Sequence, residues 1–205
     1  METGTRYTWL LDNGHGGIID GVYQTAGKRS PVWADGSQLF EGEFTRSIVN
    51  RLAEMLTGAG INYVVVTPEL RDISLTERVR RANAHHSGKE CIFVSIHSNA
   101  GGGSGYEVYT APGETTSDLV ADVFFAKFAE EFPGCRMRDD MTDGDVDKEA
   151  DFYVLRHTKM PAILTECFFM DCEPECRRIL MTEEGRDRIA SAHFEAIKQI
   201  EELGV

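Results

Sequence analysis

No run in this 205-residue chain reaches the roughly 20 consecutive apolar residues that a membrane-spanning helix needs, so no membrane partner is expected. Positive charge is also short. Lys and Arg number 21 against 34 Asp and Glu, a formal net charge of −13. That excess of acid argues against nucleic acid as a partner, and against lasting adhesion to anionic membrane or wall polymers. The five cysteines are odd in number and include no C-x-x-C pair. Cys167, Cys172 and Cys176 lie close together, but their spacing is wrong for a structural zinc knuckle. Buried thiols in a chain made in a reducing compartment are expected instead. Met1 to Arg6 is polar and leads straight into apolar residues, so synthesis in the cytoplasm without a secretory signal is expected. Internal repeats are absent too.

What is present is an ordinary globular composition, 41% hydrophobic and 27% charged, in a length that suits one domain over residues 1–205. Tyr7 to Asp12 reads as a buried strand stopping in Asn13-Gly14-His15-Gly16-Gly17. The glycines there are expected to supply positive φ and close backbone approach. In the long connection that follows, an Asp35-Gly36 turn predicts a short hairpin between Val32-Trp33 and Leu39-Phe40. Phe44, Ile48, Leu52 and Leu56 make one stripe of an amphipathic helix over Glu43 to Ala59, ended by glycines.

Asn62 to Thr67 is β-branched enough for a second strand. Ser74-Leu75-Thr76-Glu77 is a capping box opening a helix to about His86. Cys91 to His97 and Gly105 to Thr110 predict two further strands, and Ser117 to Phe132 a helix. Pro133 to Asp151 is acidic and irregular; Phe152 to Leu155 and Ala162 to Glu166 read as short strands. Glu173 to Leu180 and Glu184 to Leu203 look helical. Strands alternating with helices predict a three-layer α/β/α domain on a mostly parallel, mixed sheet of about six strands.

Polar residues stand at the strand ends: His15 after the first, His97 closing the third, Glu166 closing the last. Parallel strands would gather all three at one edge of the sheet, where ligands collect in open α/β folds. Glu41 lies three residues before Phe44 and seven before Ile48, so a helix extended back to it carries Glu41 on the core-facing stripe, unlike Glu43. Two histidines and a glutamate are the ligand set of a catalytic zinc with one position open for water. Glu166, among Ile163, Leu164, Phe168 and Phe169, sits where desolvation raises a carboxyl pKa, as a general base requires. Residue chemistry alone also allows Glu41 to be a helix-start carboxylate favoured by the macrodipole by ~0.3–1 kcal/mol, and Glu166 to be an ion-pair partner of Arg156.

Beyond that chemistry, the chain resembles the zinc-dependent N-acetylmuramoyl-L-alanine amidases of the AmiC/CwlV-like kind. The resemblance rests on Leu11-Asp12-Asn13-Gly14-His15-Gly16-Gly17, on Glu41 with its apolar spacing to Gly60, and on Leu75-x-x-Arg78-x-x-x-Ala82-Asn83. It continues through Val94-Ser95-Ile96-His97-Ser98-Asn99-Ala100, Val154-Leu155-Arg156, Pro161 to Glu166, and Phe169. It implies one zinc ion per chain held by His15, Glu41 and His97, with Glu166 as the catalytic carboxylate. The implied reaction is hydrolysis of the amide between N-acetylmuramic acid and L-alanine in peptidoglycan or muropeptides, by a monomer.

The family often has Gly-Phe-x-Ser-Asn after its glutamate, whereas Phe168-Phe169-Met170-Asp171-Cys172 stands here. The basic island at Lys28 and Arg29 is expected to meet the acidic stem peptide, with Asn99 and Arg156 as further substrate contacts. Asp12 is expected to orient the His15 imidazole. Two other readings remain: a non-catalytic wall-binding domain on the same fold, and a zinc peptidase acting on stem peptides. A compact His-x-x-Glu pair, usual in zinc carboxypeptidases of unrelated fold, is absent near His15 and His97. His193 shares a helical face with Ile189, Ala196, Ile197 and Ile200 and is expected to be buried.

Overall fold

The fold was obtained as a computed structural model that describes residues 5–86, 90–142 and 144–205; the polar start at 1–4 lies outside them. Six strands form the main sheet. β1 is Thr8–Asn13, and a small separate hairpin follows, β2 (Ile18–Ile19) with β3 (Val22–Tyr23). α1 (Glu41–Ala59), β4 (Tyr63–Val65), α2 (Leu75–His86), β5 (Cys91–Asn99), β6 (Glu107–Thr110) and α3 (Thr116–Glu131) come next. The chain continues with β7 (Lys148–Glu149), α4 (Tyr153–His157), β8 (Ala162–Phe169), the single turn α5 (Glu173–Glu175), a wider turn over Cys176–Leu180, and α6 (Glu183–Leu203). The sheet order is β4-β1-β5-β8-β6-β7. β4, β1, β5 and β8 are parallel, β6 runs antiparallel to β8, and β7 pairs parallel with β6. The expected mixed three-layer fold is what these residues build.

Strand alternation divides the interior in two. Trp9 and Leu11 of β1, Ile92, Val94 and Ile96 of β5, and Ile163 of β8 pack with α1, α3 and α6. Leu10, Phe93, Ala162 and Leu164 face the other way, where Val79 and Ala82 of α2 and Val154 and Leu155 of α4 cover them. On this second side each strand passes from apolar to polar towards its carboxyl end: Leu10 to Asp12, Phe93 to Ser95 and His97, Leu164 to Glu166. All of these polar residues line one cleft.

Three local expectations are corrected. Phe152 to Leu155 is not a strand: Leu155 N and Arg156 N both donate to Phe152 O at 3.0 Å, and α4 follows. Val154 and Leu155 are both buried in the same cluster, which consecutive residues achieve in a helix but not in an alternating strand. Packing there overrides β propensity. The Asp35-Gly36 turn exists, with Trp33 N donating to Ser37 O at 2.9 Å. The ribbon it closes, however, pairs residues 28–30 with 39–41, through Ser30 N to Leu39 O (2.9 Å) and Glu41 N to Lys28 O (3.0 Å). Pro31, lacking an N–H, cannot take a place in that ladder. The strands bearing His97 and Glu166 also run on, to Asn99 and Phe169, with a register shift between His97 and Asn99.

His193 is fully buried as expected, its Nε2 3.1 Å from Thr165 Oγ1 and its Nδ1 2.8 Å from Ile189 O. Burial pulls its pKa down to about 4. The unfolded chain takes up a proton near pH 6.5 that the folded chain refuses until about pH 4, so this residue removes stability as pH falls through that window. The loss amounts to roughly 3 kcal/mol. Urea unfolding of wild type and His193→Gln between pH 7.5 and 4.5 should show a stability difference that shifts against wild type on acidification. Parallel pH profiles would refute it.

Candidate metal centre

Glu41 opens α1, and its N–H is taken by Lys28 O. The first turn of the helix must therefore pack flush against the loop after β1. Gly42 permits this, since a Cβ there would overlap Gly16 O. Thr45 Oγ1 donates to Gly14 O at 2.7 Å, and Tyr23 Oη accepts from Gly42 N at 2.8 Å. The result is a carboxylate 1% exposed, held between two imidazoles. His15 Nε2 lies 3.2 Å from Glu41 Oε2, and His97 Nδ1 lies 3.0 Å from Oε1, which also accepts from Ser98 N at 3.2 Å. The two rings meet edge to face with centroids 4.8 Å apart.

The glycines beside His15 act differently from expectation. Positive φ falls on His15 itself, at 69°, a left-handed conformation that a histidine adopts only when its surroundings enforce it. Gly14 instead provides room, because a Cβ there would collide with the His97 ring; Gly16 and Gly17 make way for Asp72 and Leu70. Asp12 does not orient His15 either. Its carboxylate accepts from Arg78 Nη1 at 2.6 Å, Ser95 Oγ at 2.8 Å and Thr67 Oγ1 at 3.1 Å. Arg78, 2% exposed, also donates to Asn13 O at 2.8 Å and His15 O at 3.4 Å. Arg78 thus holds the His15 loop through its backbone. The sign of this in the sequence was an arginine on the apolar face of α2, beside Val79 and one turn before Ala82.

One donor atom from each of His15, Glu41 and His97 lies within 4.8 Å of the others. Both His15 Nε2 and Glu41 Oε2 are buried without a hydrogen-bond partner. Two imidazoles and a carboxylate converging here, with His15 Nε2 and Glu41 Oε2 unsatisfied, fit a metal ion. Burial by itself would raise the Glu41 pKa, but the adjacent His15 and His97 imidazoles outweigh it and hold the carboxyl ionised. Burial lowers His15, leaving its nitrogen available as a ligand.

Glu166 stands beside His97 in register across β5 and β8. Burial pushes its pKa up to about 8, and Oε2 has no partner. Of the expected substrate contacts, Lys28 lines the cleft of about 590 Å³ with His15, His97 and Glu166. Arg29 instead lies over the Tyr23 and Phe40 rings, at 5.7 and 5.5 Å from their centroids. Asn99 donates to Glu107 at 3.1 Å, and Arg156 pairs with Asp151 at 3.1 Å. Phe168, standing where the family pattern has glycine, has φ 62°, the conformation for which glycine is suited. Replacing Glu41 by Ala should lower metal affinity at least about 100-fold in isothermal titration with zinc, and unchanged affinity would exclude Glu41 as a ligand.

A family profile described as N-acetylmuramoyl-L-alanine amidase matches residues 10–199. The endolysin of Bacillus phage SPP1 is 31% identical over 208 residues, covering 96% of this chain and 66% of its own length. The N-acetylmuramoyl-L-alanine amidase CwlM of Bacillus licheniformis is 33% identical over 165 residues, covering 79% of this chain and 56% of that protein. The chain therefore spans under two thirds of the length of these relatives. The crystal structure of an N-acetylmuramoyl-L-alanine amidase from Clostridium difficile 630 superposes with a TM-score of 0.79 at 26% identity, covering 98% of this chain and all of that one. With the family profile running from the first strand into the last helix, the chain belongs to the N-acetylmuramoyl-L-alanine amidase family.

Proposed function

We propose that this chain hydrolyses the amide between N-acetylmuramic acid and L-alanine in peptidoglycan or muropeptides, as a monomer holding one zinc ion on His15, Glu41 and His97. The observation that carries the reading is Glu166, a half-buried residue whose Oε2 is buried without a partner and which lines the same cleft as His15 and His97. A domain that only bound the wall would gain nothing from a carboxyl kept desolvated and unbonded, a state that costs free energy. A zinc ion there supplies Lewis acidity at the amide carbonyl, a lowered pKa for water, and positive charge that favours ionised Glu166.

Glu166 then acts as the proton carrier. It accepts a proton from water as the water oxygen bonds to the carbonyl carbon, and returns it to the amide nitrogen as the C–N bond breaks. The products are a lactyl carboxylate and the alanine ammonium, which takes up the second proton of the water. Lys28, on the cleft wall, is assigned to a carboxylate of the stem peptide, while Ile73, Leu75, Phe152 and Tyr153 give the cleft apolar surface. Arg29, Asn99 and Arg156, engaged elsewhere, would reach substrate only after leaving their present partners.

The test separates chemistry from metal binding. Glu166→Ala should keep wild-type zinc content yet release stem peptide from purified peptidoglycan at least ~10²-fold more slowly. Cleavage at the wild-type rate would overturn the assignment.

A further inference from the structure

The cleft that holds the metal centre has one side whose residues the proton transfer leaves unused. Asp72, Ile73, Ser74 and Leu75, on the way into α2, line it together with Phe152 and Tyr153 at the start of α4. Thr76 Oγ1 donates to Tyr153 Oη at 3.5 Å and joins the two segments. Val154 and Leu155 are buried in the apolar cluster on this side of the sheet. Anchoring the short helix by these two leaves the aromatic pair before them in solvent. Phe152 is 38% exposed, Tyr153 37% and Leu75 53%. Apolar groups gathered in the open at a cleft, unlike single ones scattered over a surface, mark a place where something binds.

Both rings are held before any ligand arrives. Phe152 packs against the Tyr109 ring with centroids 5.2 Å apart, and Tyr153 against the His157 ring at 4.2 Å. Rings fixed in this way lose little freedom on binding, which favours affinity. The polar groups beside them are not cationic. Arg78 is shared between Asp12 at 2.6 Å and Asp72 at 3.4 Å, so this side of the cleft keeps an excess of negative charge. That charge disfavours an acidic stem peptide here. A pyranose suits the surface better. It is uncharged, its C–H groups can lie against the negative face of an aromatic ring, and its hydroxyls can donate to Asp72 and Ser74.

Resting on the reaction assigned above, we propose that Phe152 and Tyr153 are specificity residues for the sugar half of the substrate. They stack on the pyranose of N-acetylmuramic acid, while Asp72 and Ser74 take up its hydroxyls. Only a lactyl ether separates the scissile carbonyl from that ring. A carbonyl held at the His15, Glu41 and His97 centre therefore keeps the sugar inside the same cleft, and Lys28 is left to the peptide. The cleft thus reads both halves of the molecule and discriminates against a stem peptide that carries no sugar.

Two substrates with the same amide separate the roles: an N-acetylmuramoyl tripeptide, and the lactyl tripeptide that lacks the sugar. Zinc-loaded wild type should favour the muramoyl substrate at least ~10-fold in kcat/KM. Phe152→Ala and Tyr153→Ala should each erase most of that preference, chiefly by raising KM for the muramoyl substrate. Phe152→Tyr and Tyr153→Phe, which keep a ring, should retain it. Titration with free N-acetylmuramic acid, followed by NMR, reads the subsite without hydrolysis; saturable binding to wild type should be lost in the alanine variants. Equal cleavage of the two substrates by wild type, or alanine variants that keep the preference and the sugar binding, would overturn the inference while leaving the amidase reaction intact. Sugar binding that depends on the two rings, with neither substrate cleaved, would uphold the subsite and overturn the reaction.

Discussion

Glu41 is an ionised carboxylate that water scarcely reaches, and leaving such a group without compensation costs several kcal/mol. Two imidazoles and the Ser98 N–H provide the compensation, but only if three separate pieces of chain arrive together. α1 must begin at Glu41, the loop after β1 must bring His15 over it, and β5 must end with His97 turned to the same side. The surrounding architecture satisfies that demand. Gly42 lets the helix start touch the loop, Gly14 leaves room for the His97 ring, and Arg78 ties the loop backbone to Asp12.

The cleft itself follows from uneven coverage of the sheet. On one face, three helices of 16 to 21 residues seal the sheet along its length. On the other, α2 and the five-residue α4 leave the carboxyl ends open. Side chains that would be core residues further back along each strand become cleft residues there, at unchanged alternation. Glu166 keeps an elevated pKa because burial desolvates its carboxyl where it lines this cleft. The geometry thus places the Glu166 carboxyl next to the His15, Glu41 and His97 cluster.

Much of this was legible in the sequence because it rests on period and position. The helical stripe put Glu41 inward rather than Glu43, and the structure shows Glu43 instead in a half-buried pair with Arg186 at 2.9 Å. Apolar runs leading into His97 and Glu166 marked the two strands, though both run on past these residues, and parallel order brought them together. What could not be read depends on contacts between distant segments. Phe152 to Leu155 became helical because the second layer needed two adjacent apolar residues on one side. The antiparallel direction of β6 and the brief β7 depend on pairing that leaves little trace in composition. His15, and not its glycines, took the left-handed conformation because its side chain must reach Glu41 while Arg78 and Thr45 hold the backbone on either side. Asp12 was assigned to the wrong partner, since nothing in its own neighbourhood of sequence announces an arginine 66 positions away.

The central claim is that two imidazoles and one carboxylate, with no cysteine, hold the metal. Zinc K-edge X-ray absorption on the zinc-loaded protein measures that ligand set directly. A first shell of nitrogen and oxygen only is expected, near ~2.0–2.1 Å, with multiple-scattering features of two imidazoles. A sulfur scatterer near ~2.3 Å, or an imidazole count other than two, would contradict it.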